Sequence, residues 1–248
     1  MLFRPAFNKS LHILTEKTMK NLLLVSIIFA LIIAMGCGSA VKAPPTSHPN
    51  AASWESLFNA DLSDAVFPEG VWTVDNGVLT ASEDQCIWSA KDYDNFIIDL
   101  EFKNDHETNS GVIVYCSDIV NWIPNSVEVQ IADDYAEKWA KSSKTWQCGA
   151  IFGHLAASKS NVKKAGEWNR YTITCLGSMI YVMLNGEQVT EMDMRLWTSA
   201  KTNPDGSEIP SWLSTPFSKL ATKGRIGFQG KHAGAPIYFR NIRIMEIK

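Results

Sequence analysis

Beyond about Ser53 the chain is written in short apolar or alternating stretches, each the length of a strand, with turn residues between them. That rhythm restricts the fold more than any other feature. Val71-Trp72-Thr73-Val74 and Val78-Leu79-Thr80 flank Asp75-Asn76-Gly77, where Asn-Gly supplies the positive φ of a tight hairpin. Phe96, Ile98, Leu100 and Phe102 share one strand face, and Ile97, Asp99 and Glu101 the other. Gly111–Tyr115 is a β-branched run, and Val127, Val129 and Ile131 alternate with Glu128 and Gln130. Tyr171–Cys175 and Ile180–Leu184 lead into Asn185-Gly186 and Val189, and Arg225–Phe228, Ile237–Phe239 and Ile242–Ile247 close the chain. About a dozen strands without a long amphipathic helix predict an all-β, antiparallel sandwich or jelly roll.

Two stretches break the rhythm. Asp133–Thr145 is polar with single aromatics and predicts a loop with a helical turn. Thr198–Lys219 carries Asn203-Pro204-Asp205-Gly206, Pro210 and Pro216, a long irregular insertion of the kind that lines sites on rigid sandwiches.

The N-terminus reads as an address. Lys17 and Lys20 precede Leu22–Met35, an uncharged apolar run of fourteen residues, and Gly36-Cys37-Gly38-Ser39 ends it. As a helix that run would rise only about 21 Å, short for a bilayer span and typical of a signal peptide. Ala34-Met35-Gly36-Cys37 resembles a bacterial lipobox, so Cys37 is expected to be lipidated. Residues 1–37 are thus read as signal peptide, with Met19 as an alternative start, and residues 38–52 as a Pro-, Ser- and Ala-rich tether. Residues 53–248 form the folded domain. The expected location is the bacterial cell envelope, lipid-anchored to a membrane and facing the periplasm.

A formal charge of −3 leaves no basic field for nucleic acid. Nine tryptophans serve a core, sugar-stacking platforms, or both. Cys86, Cys116, Cys148 and Cys175 contain no C-x-x-C pair, which argues against zinc; an exported domain permits disulfides, and small buried thiols fit equally well.

Several groupings can carry chemistry. Glu128 and Gln130 share a face opposite Val127, Val129 and Ile131, either a solvated strand face or a set of hydrogen-bonding groups for hydroxyls. Asp133 and Asp134 follow at the strand end. Asn109-Ser110-Gly111 opens a strand where glycine permits close approach. Gln229 and His232 sit just beyond another, and Arg240 lies between apolar neighbours and so requires a partner or a ligand. His106, His154 and His232 share no ligand spacing. No pattern demands a cofactor; the carboxylate and amide oxygens are of the kind that a hard divalent cation, Ca or Mg, would take.

Taken in order, Trp54-Glu55-Ser56-Leu57-Phe58-Asn59, Trp72-x-Val74-x-x-Gly77-x-Leu79, Asn109-Ser110-Gly111-Val112, Val127-Glu128-Val129-Gln130-Ile131, Cys148-Gly149-Ala150-Ile151-Phe152-Gly153, Gly166-Glu167-Trp168-Asn169, Leu184-Asn185-Gly186 and Gly227-Phe228-Gln229…His232…Phe239-Arg240-Asn241-Ile242 resemble the 3-keto-disaccharide hydrolase domain family. The resemblance covers about residues 53–248. It implies a concanavalin-like jelly roll and cleavage of glycosides or oligosaccharides oxidised to a ketone at carbon 3. Such a ketone acidifies the proton on carbon 2; a base removes it, the enolate expels the group on carbon 1, and water adds back. On that template Glu128 or Asp133 is the base, His154 and His232 are acid/base or donor groups, Gln130, Gln229 and Arg240 orient the sugar or hold enolate charge, and Asn109 is a further substrate-binding residue. The chain departs from the family with Tyr135 where members often carry His, and with an extra residue between Gln229 and His232.

Two other functions compete. An endo-glucanase on the same scaffold needs two carboxylates about 5–5.5 Å apart, but the comparable strand reads Glu128-x-Gln130-x-Ala132 and lacks the second acid. A non-catalytic carbohydrate-binding protein would use exposed aromatics, for which Trp122, Trp139, Trp146 and Trp197 are available.

Overall fold

The computed structural model of the protein describes residues 48–50 and 54–247; Cys37, the apolar run before it and most of the tether lie outside these. Among the described residues no helix is long and apolar enough to cross a membrane.

Among the described residues thirteen strands form two antiparallel sheets. The smaller runs β2 (Ala65–Val66), β5 (Ile87–Ser89), β12 (Arg225–Phe228), β7 (Asn109–Cys116), β8 (Val127–Ala132). The larger runs β11 (Glu187–Asp193), β10 (Met179–Leu184), β9 (Asn169–Leu176), β6 (Phe96–Asn104), β13 (Ile237–Glu246), β4 (Val78–Ala81), β3 (Trp72–Asp75), and β1 (Glu55–Ser56) also pairs with β13. The last two strands enter the middle of both sheets, β12 between β5 and β7 and β13 between β6 and β4, so the sandwich closes only when the C-terminus is in place. This is a jelly-roll sandwich, the all-β class that the strand pattern predicts.

Alternation decides which residues face inward. Phe96, Ile98, Leu100 and Phe102 of β6 meet Val112, Val114, Val127, Val129 and Ile131 of the smaller sheet in one continuous core. Ring pairs bridge the layers: Phe228 and Phe239, from different sheets, have centroids 4.8 Å apart. Each such fully buried side chain contributes about 1.5–3 kcal/mol. Both Asn-Gly turns hold positive φ at each residue, 49° and 77° at Asn76-Gly77 and 51° and 87° at Asn185-Gly186, as their sequence requires.

Polar contacts also cross between the sheets. Tyr171 of β9, fully buried, donates its hydroxyl to the Gln130 carbonyl of β8 at 2.7 Å, pinning that strand from behind. The four cysteines of the domain are free thiols. Asp133–Thr145 is a loop with one α-helical turn, Glu137–Ala140, and Thr198–Lys219 is irregular apart from one short 3-10 turn, Phe217–Lys219.

Candidate functional site

Because Val112, Val127, Val129, Ile226 and Phe228 point into the core, their neighbours point out from the smaller sheet. Residue pairing lines them up in rows. Trp88, Gly227, Ile113 and Glu128 form one row, and Gly111 and Gln130 belong to the next. Gln229 joins that second row through its N–H, which donates to the Gly111 carbonyl at 3.0 Å.

Two glycines make room on this face. A Cβ on Gly227 would sit 2.4 Å from the Trp88 ring, so the indole lies over bare backbone. A Cβ on Gly111 would sit 2.1 Å from Glu128 Oε1, so the Glu128 side chain leans across that position.

A cleft of about 330 Å³ lies over this floor. Asn109, Glu128, Gln130, Gln229 and His232 supply its polar groups. Trp122 and Ile123 border it on one side, and Trp146, Phe152, Trp212 and Phe217 add an aromatic wall. The wall is braced internally: Trp146 packs on Phe152 at 5.4 Å and edge-on to Trp212 at 6.3 Å. Trp212 is half exposed, at 51%. The long insertion therefore does line the site, through Trp212, Leu213 and Phe217. It is anchored by Asn203, whose Nδ2 donates to the Gly153 carbonyl and whose Oδ1 accepts from Trp197 Nε1.

The electrostatics single out Glu128. Burial, reinforced by the nearby Asp84 carboxylate, pushes its carboxyl up to about 8. It has no hydrogen-bond partner or counter-ion among the described residues. Its neighbours are neutral and fixed: Gln130, only 1% exposed, donates from Nε2 to Asn109 Oδ1 at 2.8 Å. At the rim His232 Nδ1 hydrogen-bonds Asp84 Oδ2 at 2.6 Å, which leaves Nε2 as the ring's unengaged nitrogen.

The structure brings together Asn109, Glu128, Gln130, Gln229 and His232, but it corrects three expected members. Asp133 is buried beneath its own loop, where Oδ2 accepts from the Glu107 N–H at 3.0 Å and Oδ1 from Tyr135 N–H. His154 lies behind the wall, stacked on Phe217 at 3.7 Å with Nδ1 donating to the Phe152 carbonyl, and burial lowers its pKa to about 4. Arg240 is on β13 in the other sheet. Its Nε donates to Glu101 Oε2 at 2.8 Å and its guanidinium covers Trp168 at 3.9 Å, so a carboxylate and a ring meet the need its position created. Asp134 is also structural, accepting from the Cys148 N–H, and burial raises its carboxyl to about 6.

A hard divalent cation does not fit this donor set. Among the described residues Glu128 is the one carboxylate lining the cleft, Asn109 Oδ1 already accepts from Gln130 Nε2, and no group of three His, Cys, Asp or Glu could hold a metal ion. Asp84 and Phe217 were not marked by the sequence. Asp84 meets His232 across 148 positions, a contact with no local signature.

Fold and site together define an enzyme-like jelly roll, with one raised carboxyl on a polar floor between aromatic walls. Residues 53–245 match the family model of the 3-keto-alpha-glucoside-1,2-lyase-like domain, and the chain belongs to that family. A solved candidate glycosyl hydrolase from Parabacteroides distasonis is 54% identical, with 78% of this chain covering 99% of that one at a TM-score of 0.77. A second candidate glycosyl hydrolase from that organism, at 22% identity, matches 77% of this chain and 93% of its own at a TM-score of 0.64, a likeness of fold alone. No curated protein matches the chain. The membership puts the protein among enzymes that act on glycosidic bonds.

Proposed function

We propose that the protein cleaves 3-keto-α-glucosides by removing the proton on carbon 2. The observation that carries this is Glu128: a lone carboxyl on the cleft floor, raised to about 8, with no partner among the described residues. A carboxylate of that basicity is a stronger proton acceptor than an ordinary one, and it suits a carbon acid activated by an adjacent ketone. Glu128 takes the proton from carbon 2. The electron pair moves onto the carbon 3 oxygen, then returns as the bond from carbon 1 to the leaving oxygen breaks. Amide donors of Asn109 and Gln229 stabilise the enolate oxygen, and His232, oriented by Asp84, gives a proton to the leaving group. Water adding across the resulting double bond completes hydrolysis. The aromatic wall stacks on the sugar ring.

Two-carboxylate hydrolysis has little support. Asp84, the other acid near the cleft, is held by His232, and Gln130 occupies the position the second acid would need.

Release of the aglycone from a 3-keto-α-glucoside, with deuterium entering carbon 2 in heavy water, is the expected result. Glu128→Gln should abolish both while preserving the fold. Sugar binding without release would instead identify a carbohydrate-binding protein, a reading the exposed Trp212 favours. We also infer that the domain is held in the envelope through lipidated Cys37, a reading supported by the lipobox-like Ala34-Met35-Gly36-Cys37. Cells fed an alkyne-bearing fatty acid should label the wild-type protein and not Cys37→Ala.

A further inference from the structure

The cleft does not end at its border. Trp122, Ile123, Gln229 and His232 also line a second, larger hollow of about 600 Å³. Past the shared residues it is lined by Phe67, Pro68, Cys86, Trp88, Ile119 and Val120. Besides Gln229 and His232 its polar members are Asp84, which is bound to His232, and Gln85, whose carbonyl accepts from Trp72 Nε1.

The loop that forms one side is tied down by its own polar groups. Asp118 Oδ1 accepts from the N–H groups of Val120 and Asn121, at 3.0 and 3.2 Å. Asn125 Nδ2 donates to the Asn121 carbonyl and Ser126 Oγ to the Trp122 carbonyl, each at 2.8 Å. This fastening holds apolar side chains outward: Val120 is 91% exposed and Ile123 40%. Val66, across the hollow, is 43% exposed. Apolar side chains held in water around a concavity mark a surface with an apolar occupant.

We infer that this hollow is the aglycone subsite, and that the preferred substrates carry an uncharged, apolar leaving group. The inference rests on the reading of the cleft as a 3-keto-glucoside site. There the group on carbon 1 must leave from beside Glu128, past His232, which borders both hollows. The hollow beyond adds rings and aliphatic side chains, the two most exposed of them Val120 and Val66, while Asp84 and His232 are already bound to each other. The Asp84 carboxylate disfavours an anionic leaving group.

The test compares methyl and cyclohexylmethyl 3-keto-α-glucosides, whose leaving alkoxides are of similar basicity, on the full chain. The expected kcat/KM favours cyclohexylmethyl by at least about ten-fold. Adding a carboxylate to the cyclohexyl ring should reverse most of that gain. Val120→Asp, at an exposed position outside the first cleft, should collapse the preference to about three-fold or less and leave the methyl substrate unchanged. A ratio below about two, or one that Val120→Asp does not move, overturns the subsite while the proposed chemistry stands. If neither ketone is cleaved, the chemistry falls. The subsite is then decided by calorimetric binding of the unoxidised methyl and cyclohexylmethyl α-glucosides, with the same ten-fold preference expected and parity overturning it.

Discussion

At the scale of single residues the cleft depends on what is missing as much as on what is present. Glu128 can lean over the sheet because position 111 has no Cβ. Gly111→Ala would force the carboxyl aside, because its Oε1 stands 2.1 Å from where the methyl would go. We expect kcat for a 3-keto-glucoside to fall at least about ten-fold, since misplaced catalytic groups lose their alignment, with a smaller change in KM and an unchanged circular dichroism spectrum. The same carboxyl sets the pH profile. With a pKa of about 8, Glu128 is mostly protonated at neutrality, so kcat/KM should rise from pH 7 to about pH 9 as the carboxylate forms. An ordinary carboxylate base would give a flat profile there, and that outcome would exclude Glu128 as the base. Glu128→Gln should cost at least about 100-fold.

At the scale of elements, the strands were legible because each sheet has one buried face: the alternation of Val127, Val129 and Ile131 with Glu128 and Gln130 translates directly into core and cleft. The insertion's Pro and Gly residues marked it as a loop, and its aromatics became a wall. What was not legible arises from contacts between elements far apart in sequence. Asp133 and Glu128 look alike as acids at a strand, yet one is consumed by the backbone of its own loop and the other is left unpaired. Arg240 looked in need of a ligand because its partners, Glu101 and Trp168, lie on other segments. The tie between the sheets is likewise invisible in sequence. Tyr171 reaches through the core to the Gln130 carbonyl, and the Cys148 thiol lies 3.1 Å from its hydroxyl. That carbonyl also accepts from the Gly149 N–H, so Tyr171→Phe leaves it satisfied once. The expected cost is therefore about 1 kcal/mol, a Tm drop of roughly 2–4 °C in thermal unfolding, rather than collapse of the fold.

At the scale of the molecule, the buried titratable groups pull stability in opposite directions with pH. Glu128 has a raised pKa, so its favourable contribution is complete below the unfolded value of 4.5 and is lost as pH climbs to about 8. Asp134 behaves the same way between 3.8 and about 6. His154 does the reverse: buried neutral, with a pKa of about 4, it costs stability as pH falls below the usual 6.5. Between pH 4.5 and 6 the histidine offsets one of the two carboxyls. From pH 6.5 to 8 Asp134 and His154 complete the last part of their titrations with small, opposed effects, and Glu128 carries most of the change. The free energy of unfolding should therefore decline by about 1.5 kcal/mol across that interval, less than the full 1.36 kcal/mol per unit because Glu128 is half ionised at its upper end. Urea denaturation at pH 6.5 and 8 measures it, and Glu128→Gln should flatten the decline. A wild-type protein equally stable at both pH values would mean that the carboxyl is solvated in the cleft. The basicity on which the proposed proton abstraction depends would then be absent, so a stability measurement with no substrate present also tests the chemistry.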